Sequence, residues 1–92
     1  MSTTTTDLTE TTARVRAVLE RRFGDAGRTV GATADLATAL PNFDSLAALE
    51  FVTAVEDEFG VEVDFVGDDV RYSFSTVDRV VEYVVERLED AG

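Results

Sequence analysis

Apolar residues recur at helical spacing in three stretches of this 92-residue chain. The first stretch predicts a helix over residues 8–23, with Gly24 at the position of a C-terminal cap. The last stretch has a stripe made mostly of valines and predicts a helix over residues 76–89. Ser75 and Asp78 precede it in a pattern that resembles a capping box. The chain therefore begins and ends its folded part with amphipathic helices.

The middle stretch predicts a helix from Ser45 to Phe59, with Asp44 as its N-cap and Gly60 as its end. One face carries apolar side chains of core size: Ala48, Phe51, Val52, Val55 and Phe59. The opposite face carries two leucines among polar and acidic residues: Leu46, Leu49, Glu50, Thr53 and Asp57, with Glu56 near its edge. This second face either docks a partner or lies beneath the preceding loop, and periodicity alone leaves both possibilities open.

The segments between the helices are expected to be irregular. Residues 24–44 contain three glycines and the single proline, which indicates a long loop pinned to the core by Val30, Leu36 and Leu40. Residues 61–65 alternate like a strand, but a lone strand has no pairing partner, so we expect a loop. A short helix is expected over residues 66–72. The predicted fold is all-α: a small antiparallel bundle of three main helices plus one short helix, with a long first loop.

Charge narrows the classes of partner. Residues 44–92 contain three arginines and 14 acidic residues and so carry the whole net charge of −11. Such a chain repels nucleic acid and anionic lipid and attracts basic protein surfaces. No apolar run is long enough to span a membrane, and the threonine-rich residues 1–7 do not resemble a secretory signal. We therefore expect a disordered tail over 1–7 and a cytoplasmic, monomeric domain over 8–92.

The chain lacks cysteine, histidine and lysine. Ser45 therefore has no base to activate it as a nucleophile, which argues against an enzyme. The acidic residues Asp64, Asp68 and Asp69 do not form a calcium-binding loop, so we expect no metal site. A helix start does favour an anion, so a phosphate attached to Ser45 would be stabilised there. Spacing alone favours the simpler interpretation that Ser45 is only a favourable first-turn residue.

Two segments resemble acyl carrier proteins. The segment DSLAALEFVTAVEDEFGVEV (residues 44–63) is similar to the family's second helix, and FSTVDRVVEYV (residues 74–84) is similar to its last helix. The resemblance covers roughly residues 8–89. Asn42 departs from the family, which usually has glycine there, although asparagine also tolerates a left-handed backbone. Phe43 before Asp-Ser-Leu is typical of polyketide carriers.

The resemblance implies that Ser45, preceded by Asp44, receives a 4′-phosphopantetheine arm from coenzyme A through a separate transferase that uses magnesium. The thiol of the arm would hold an acyl or aminoacyl group as a thioester. Partners would be the transferase, loading enzymes, and ketosynthase or condensation-type enzymes with basic docking patches. The implied docking residues are Asp44, Leu46, Leu49, Glu50, Thr53, Glu56 and Asp57. Two alternatives stay open: a free-standing aminoacyl or peptidyl carrier of a nonribosomal pathway, and a non-carrier acidic interaction module with the same fold.

Overall fold

The structure is a computed structural model that describes residues 8–65 and 69–91. The described residues form six helices and no strand, which confirms the all-α class. The predicted tail over residues 1–7 lies outside the described residues. The helices, in chain order, are α1 (Leu8–Phe23), α2 (Asp25–Thr29), α3 (Leu36–Ala39), α4 (Ser45–Phe59), α5 (Val70–Ser73) and α6 (Val77–Ala91).

The core is formed where the apolar stripes of the three long helices meet. Helix α1 packs against both α4 and α6. The side chains that are fully buried between these helices include Val15, Val18, Leu19, Phe51, Val52, Val55, Val77, Val80 and Val84. Most apolar positions at helical spacing are therefore buried as expected, whereas Ala48 is half-buried and Leu8 at the start of α1 is exposed.

The prediction of one long loop over residues 24–44 is wrong, because this segment contains α2 and α3. Gly24 ends α1 with a positive φ of 69°, and α2 begins directly after it. Helix α2 then packs so closely on α1 that a Cβ atom at Gly27 would lie 2.3 Å from the carbonyl oxygen of Leu19. The three predicted anchors of the segment, Val30, Leu36 and Leu40, are buried as expected.

The start of α6 also differs from the prediction. Thr76, not Ser75, caps the helix, because the Oγ1 atom of Thr76 accepts a hydrogen bond from the Arg79 amide at 3.1 Å. The Ser75 hydroxyl instead donates to the Tyr72 carbonyl oxygen at 2.7 Å. The short helix expected over residues 66–72 is observed as α5, while 66–68 fall outside the described residues.

Arg14 joins α1 to the C-terminal end of α4. Its Nε atom donates to the Glu58 carboxylate at 2.9 Å, and a second guanidinium nitrogen donates to the Glu58 carbonyl oxygen at 2.6 Å. The guanidinium also lies 4.5 Å from the centre of the Phe59 ring. The carbonyl contact satisfies one of the groups that a helix end leaves without an intrahelical donor. Arg14 therefore fixes the end of α4 opposite Ser45.

The hydrogen bond from Arg14, supported by the Arg21 guanidinium and opposed by partial burial, lowers the pKa of Glu58 below its ordinary value of 4.5. A lowered folded-state pKa stabilises the fold above the unfolded-state pKa, and this stabilisation is lost as the pH falls through the folded-state value. We expect Glu58→Gln to cost about 1 kcal/mol or less at pH 7, because the pair is partly exposed. The melting temperatures of the native protein and of Glu58→Gln should approach each other as the pH is lowered from about 4.5. A constant difference between them down to pH 3 would contradict this role.

Candidate functional site

A short turn before α4 fixes the backbone that leads into Ser45. Asn42 has a φ of 60°, in the left-handed region, and its carbonyl oxygen accepts the Asp44 amide at 2.9 Å. The Asp44 carboxylate then accepts the Ala47 amide at 2.9 Å, so the predicted N-cap is confirmed. Ser45 is the first residue of α4 and is exposed.

Phe43 anchors this turn to the core. Its ring centre lies 5.4 Å from that of Phe23 in α1 and 6.5 Å from that of Phe51 in α4. Phe51 in turn contacts Phe74 at 6.0 Å, and Phe74 contacts Tyr83 at 5.3 Å. Such tilted and edge-on aromatic pairs are favourable beyond their buried area. The residue two positions before Ser45 is thus held by a row of rings that crosses the molecule.

The outward face of α4 carries exposed apolar side chains. Leu46 is 65% exposed and Leu49 is 49% exposed, while Phe51 and Val55 on the other face are fully buried. The alternative in which the preceding loop covers both leucines is therefore wrong. Their part in binding a partner stays a prediction.

The polar residues predicted for this face differ in their surroundings. Glu50 is exposed and lies 3.6 Å from Arg22 of α1, while the Thr53 hydroxyl donates to the Leu49 carbonyl oxygen at 3.1 Å. Asp57 is exposed. Glu56 is half-buried, and its carboxylate accepts the Val63 amide at 2.8 Å, which holds the segment after Gly60 against the helix. Glu56 thus has an internal structural contact that its place on the helix did not indicate.

Ser45 lies in the lining of an open groove of about 580 Å³. One side is formed by α4, through Ser45, Ala48, Leu49 and Val52, and another by Val70 and Arg71 of α5. Phe43, Phe65 and Phe74 add to a lining that is mostly apolar. Arg22 and Arg71 were not among the predicted site residues. The helical spacing of α1 could have indicated the position of Arg22 near the end of that helix. The position of Arg71 in the groove lining depends on the tertiary fold and could not be read from the sequence.

Other kinds of site find little support in the described part of the chain. No group of three or more acidic side chains in residues 8–65 and 69–91 is placed to hold a metal ion, and Asp68 lies outside these ranges. None of the helices seen there has both the length and the apolar character needed to cross a bilayer.

An exposed serine at the start of a long helix, in a small helical bundle and beside an open groove, is a position at which the helix start would stabilise an attached anionic group. A family model described as a phosphopantetheine attachment site matches residues 13–84. The chain belongs to this family, whose domain is the site of covalent 4′-phosphopantetheine attachment. Its members are carriers that interact with a phosphopantetheinyl transferase and with partner enzymes. A comparison with curated proteins finds no match.

The geometry of the turn gives a test of how Ser45 is positioned. Asn42→Val should lower the free energy of unfolding by about 1–2 kcal/mol, because a left-handed backbone is strained for most L-residues. Asn42→Gly is the matched control and should leave stability nearly unchanged, since glycine adopts this conformation freely. Urea denaturation followed by circular dichroism measures both. Equal stability of the two variants would show that the left-handed turn is absent in solution.

Proposed function

We propose that Ser45 carries the 4′-phosphopantetheine arm and that the chain is a discrete acyl carrier of polyketide or related specialised metabolism. The observation that carries the proposal is the exposure of Ser45 at the first turn of α4 within the Asp-Ser-Leu sequence. The polyketide assignment rests on the resemblance at Phe43 and on the absence of the glycine-rich sequence typical of peptidyl carriers. No catalytic activity is assigned to the chain itself.

The residues around Ser45 suit attachment of a phosphodiester. The hydroxyl is accessible to a modifying enzyme, and the start of α4 presents amide groups and a partial positive charge to an anion. The Asp44 carboxylate is engaged with the Ala47 amide, so its role is to hold the helix start. Deprotonation of the Ser45 hydroxyl is therefore left to the transferase.

The arm, when bound, supplies the thiol that a chain without cysteine does not contain. The chain contributes the position of the arm: Ser45 opens directly onto the apolar groove. Cargo on the thiol is presented to other enzymes, which carry out the chemistry.

The outward face of α4 is the proposed docking surface for those enzymes. It combines the exposed Leu46 and Leu49 with the acidic Glu50 and Asp57. Charge complementarity accelerates encounter more than it strengthens binding, which suits a carrier that visits several partners. Enzymes with basic patches around an apolar contact fit this surface.

The first test is modification of the apo protein. Incubation with coenzyme A, magnesium and a broad phosphopantetheinyl transferase should add one phosphopantetheine mass, and Ser45→Ala should abolish the addition. Ser75→Ala is the matched control, because Ser75 lines the same groove and should not affect modification. Intact-protein mass spectrometry measures all three.

No mass gain in the native chain, with a transferase active on a control carrier, would favour the non-carrier interaction module. Acyl groups found on the protein purified from its native host would distinguish polyketide from aminoacyl cargo.

The second test concerns the docking surface. Asp57→Arg should slow modification by roughly threefold to tenfold at low salt, because it places a like charge opposite a basic patch. Glu82→Arg makes the same charge change on an exposed position of α6 and should have little effect. Initial rates with the same transferase measure the difference. Equal slowing by both variants would mean that net charge alone, and not this face of α4, determines the rate.

A further inference from the structure

The arginines of this chain are almost all engaged in internal contacts. Seven of the eight contact another described residue through a carboxylate, a backbone carbonyl or an aromatic ring. These seven are Arg14, Arg16, Arg21, Arg22, Arg28, Arg79 and Arg87. Arg71 differs, since it is exposed and no described carboxylate lies within ion-pairing distance of it. Arg16, Arg79 and Arg87 also lack a carboxylate partner, but each contacts a carbonyl oxygen or an aromatic ring. Arg71 is thus the arginine for which none of these contacts with a described residue is seen.

Arg71 and Ser45 both lie in the lining of the groove. Helix α5, which contains Arg71, packs against α6, while α4, which contains Ser45, packs against α1. The groove therefore lies between α4 and α5, each of which packs against a different helix. Ser45 is contributed by one of these elements and Arg71 by the other.

Among the described residues that line the groove, Arg71 is the only one with a positively charged side chain. The two carboxylates that share the lining, Asp35 and Asp44, are each used as helix N-caps, accepting the amides of Ala37 and Ala47 at 3.0 and 2.9 Å. A guanidinium group binds phosphate or carboxylate oxygens through paired hydrogen bonds, and apolar surroundings strengthen that attraction. Arg71 thus offers an anionic group a binding partner at the α5 side of the groove, while the mostly apolar lining suits an apolar body.

The presence of Ser45 in the lining indicates what occupies the groove. A group tethered at Ser45 reaches the groove at a high effective concentration, so a contact too weak to hold a free anion is populated. Resting on the proposed attachment at Ser45, we propose that Arg71 binds an anionic oxygen group that the arm brings into the groove. That group is either the phosphodiester of the arm or a carboxylate on the acyl cargo.

The test compares four forms of the native chain: apo, with the free arm, with a butyryl arm, and with a succinyl arm. The two acyl groups have the same length, and only the succinyl group ends in a carboxylate. The Nε–H resonance of Arg71 is followed by ¹H–¹⁵N NMR and the arm by ³¹P NMR. A shift of the Arg71 resonance on attachment of the free arm assigns the phosphodiester, and a shift only with the succinyl arm assigns the cargo.

Arg71→Gln should abolish binding of the anionic group in the groove. It should leave the melting temperature of the apo protein unchanged, because Arg71 is exposed and has no internal ion pair. The phosphodiester assignment then requires the ³¹P resonance to move in this variant. The cargo assignment requires that, in this variant, the ¹H–¹⁵N resonances of the groove residues no longer differ between the succinyl and butyryl forms. Arg28→Gln makes the same charge change at an exposed site outside the groove and should alter neither readout.

An Arg71 resonance that moves no more than that of Arg28 in all four forms would overturn the inference. Failure to add any phosphopantetheine to Ser45 would instead refute the proposed function, and this inference with it. Mass spectra recorded before the NMR measurements separate the two outcomes.

Discussion

Burial of one face of α4 determines what its other face can do. Phe51 and Val55 are fully buried, and burying a side chain of this size contributes about 1.5–3 kcal/mol. Because a helix is a rigid cylinder, turning α4 far enough to hide Leu46 and Leu49 would bring those core residues into water. The exposure of the two leucines is therefore a consequence of core packing. The same rotation sets the direction of Ser45 and places it beside the groove.

Both ends of α4 are fixed by contacts that do not involve the outward face. At the start, Phe43 packs between Phe23 and Phe51, and the Asp44 carboxylate closes the first turn. At the far end, Gly60 adopts a φ of 67° and Arg14 holds the Glu58 carbonyl oxygen. A surface carried on a helix held in this way needs little ordering when a partner binds, which lowers the entropic cost of association. Transient contacts can then still be selective.

The sequence predicted the long helices well, because the period of a buried stripe is a local property. It did not predict α2 and α3, which have five and four residues and are too short to be stable alone. They depend on distant contacts: the Leu36 amide donates to the Ser75 carbonyl oxygen at 2.8 Å, and the Asp78 amide to that of Ala32 at 3.1 Å. The groove escaped prediction for the same reason, since its lining comes from segments far apart in the chain.

The candidate site was predictable where it depends on one helix and not where it depends on neighbouring elements. Spacing placed Ser45, Leu46 and Leu49 on the correct side of α4. The acidity of that side was overestimated, because two of its three carboxylates have internal contacts: that of Glu50 lies beside Arg22 of α1, and that of Glu56 accepts the Val63 amide. Asp57 is left as the least compensated charge of α4. We therefore expect the proposed docking at this face to depend on its leucines at least as much as on its charge, with the strong negative charge of the chain acting mainly over longer distances.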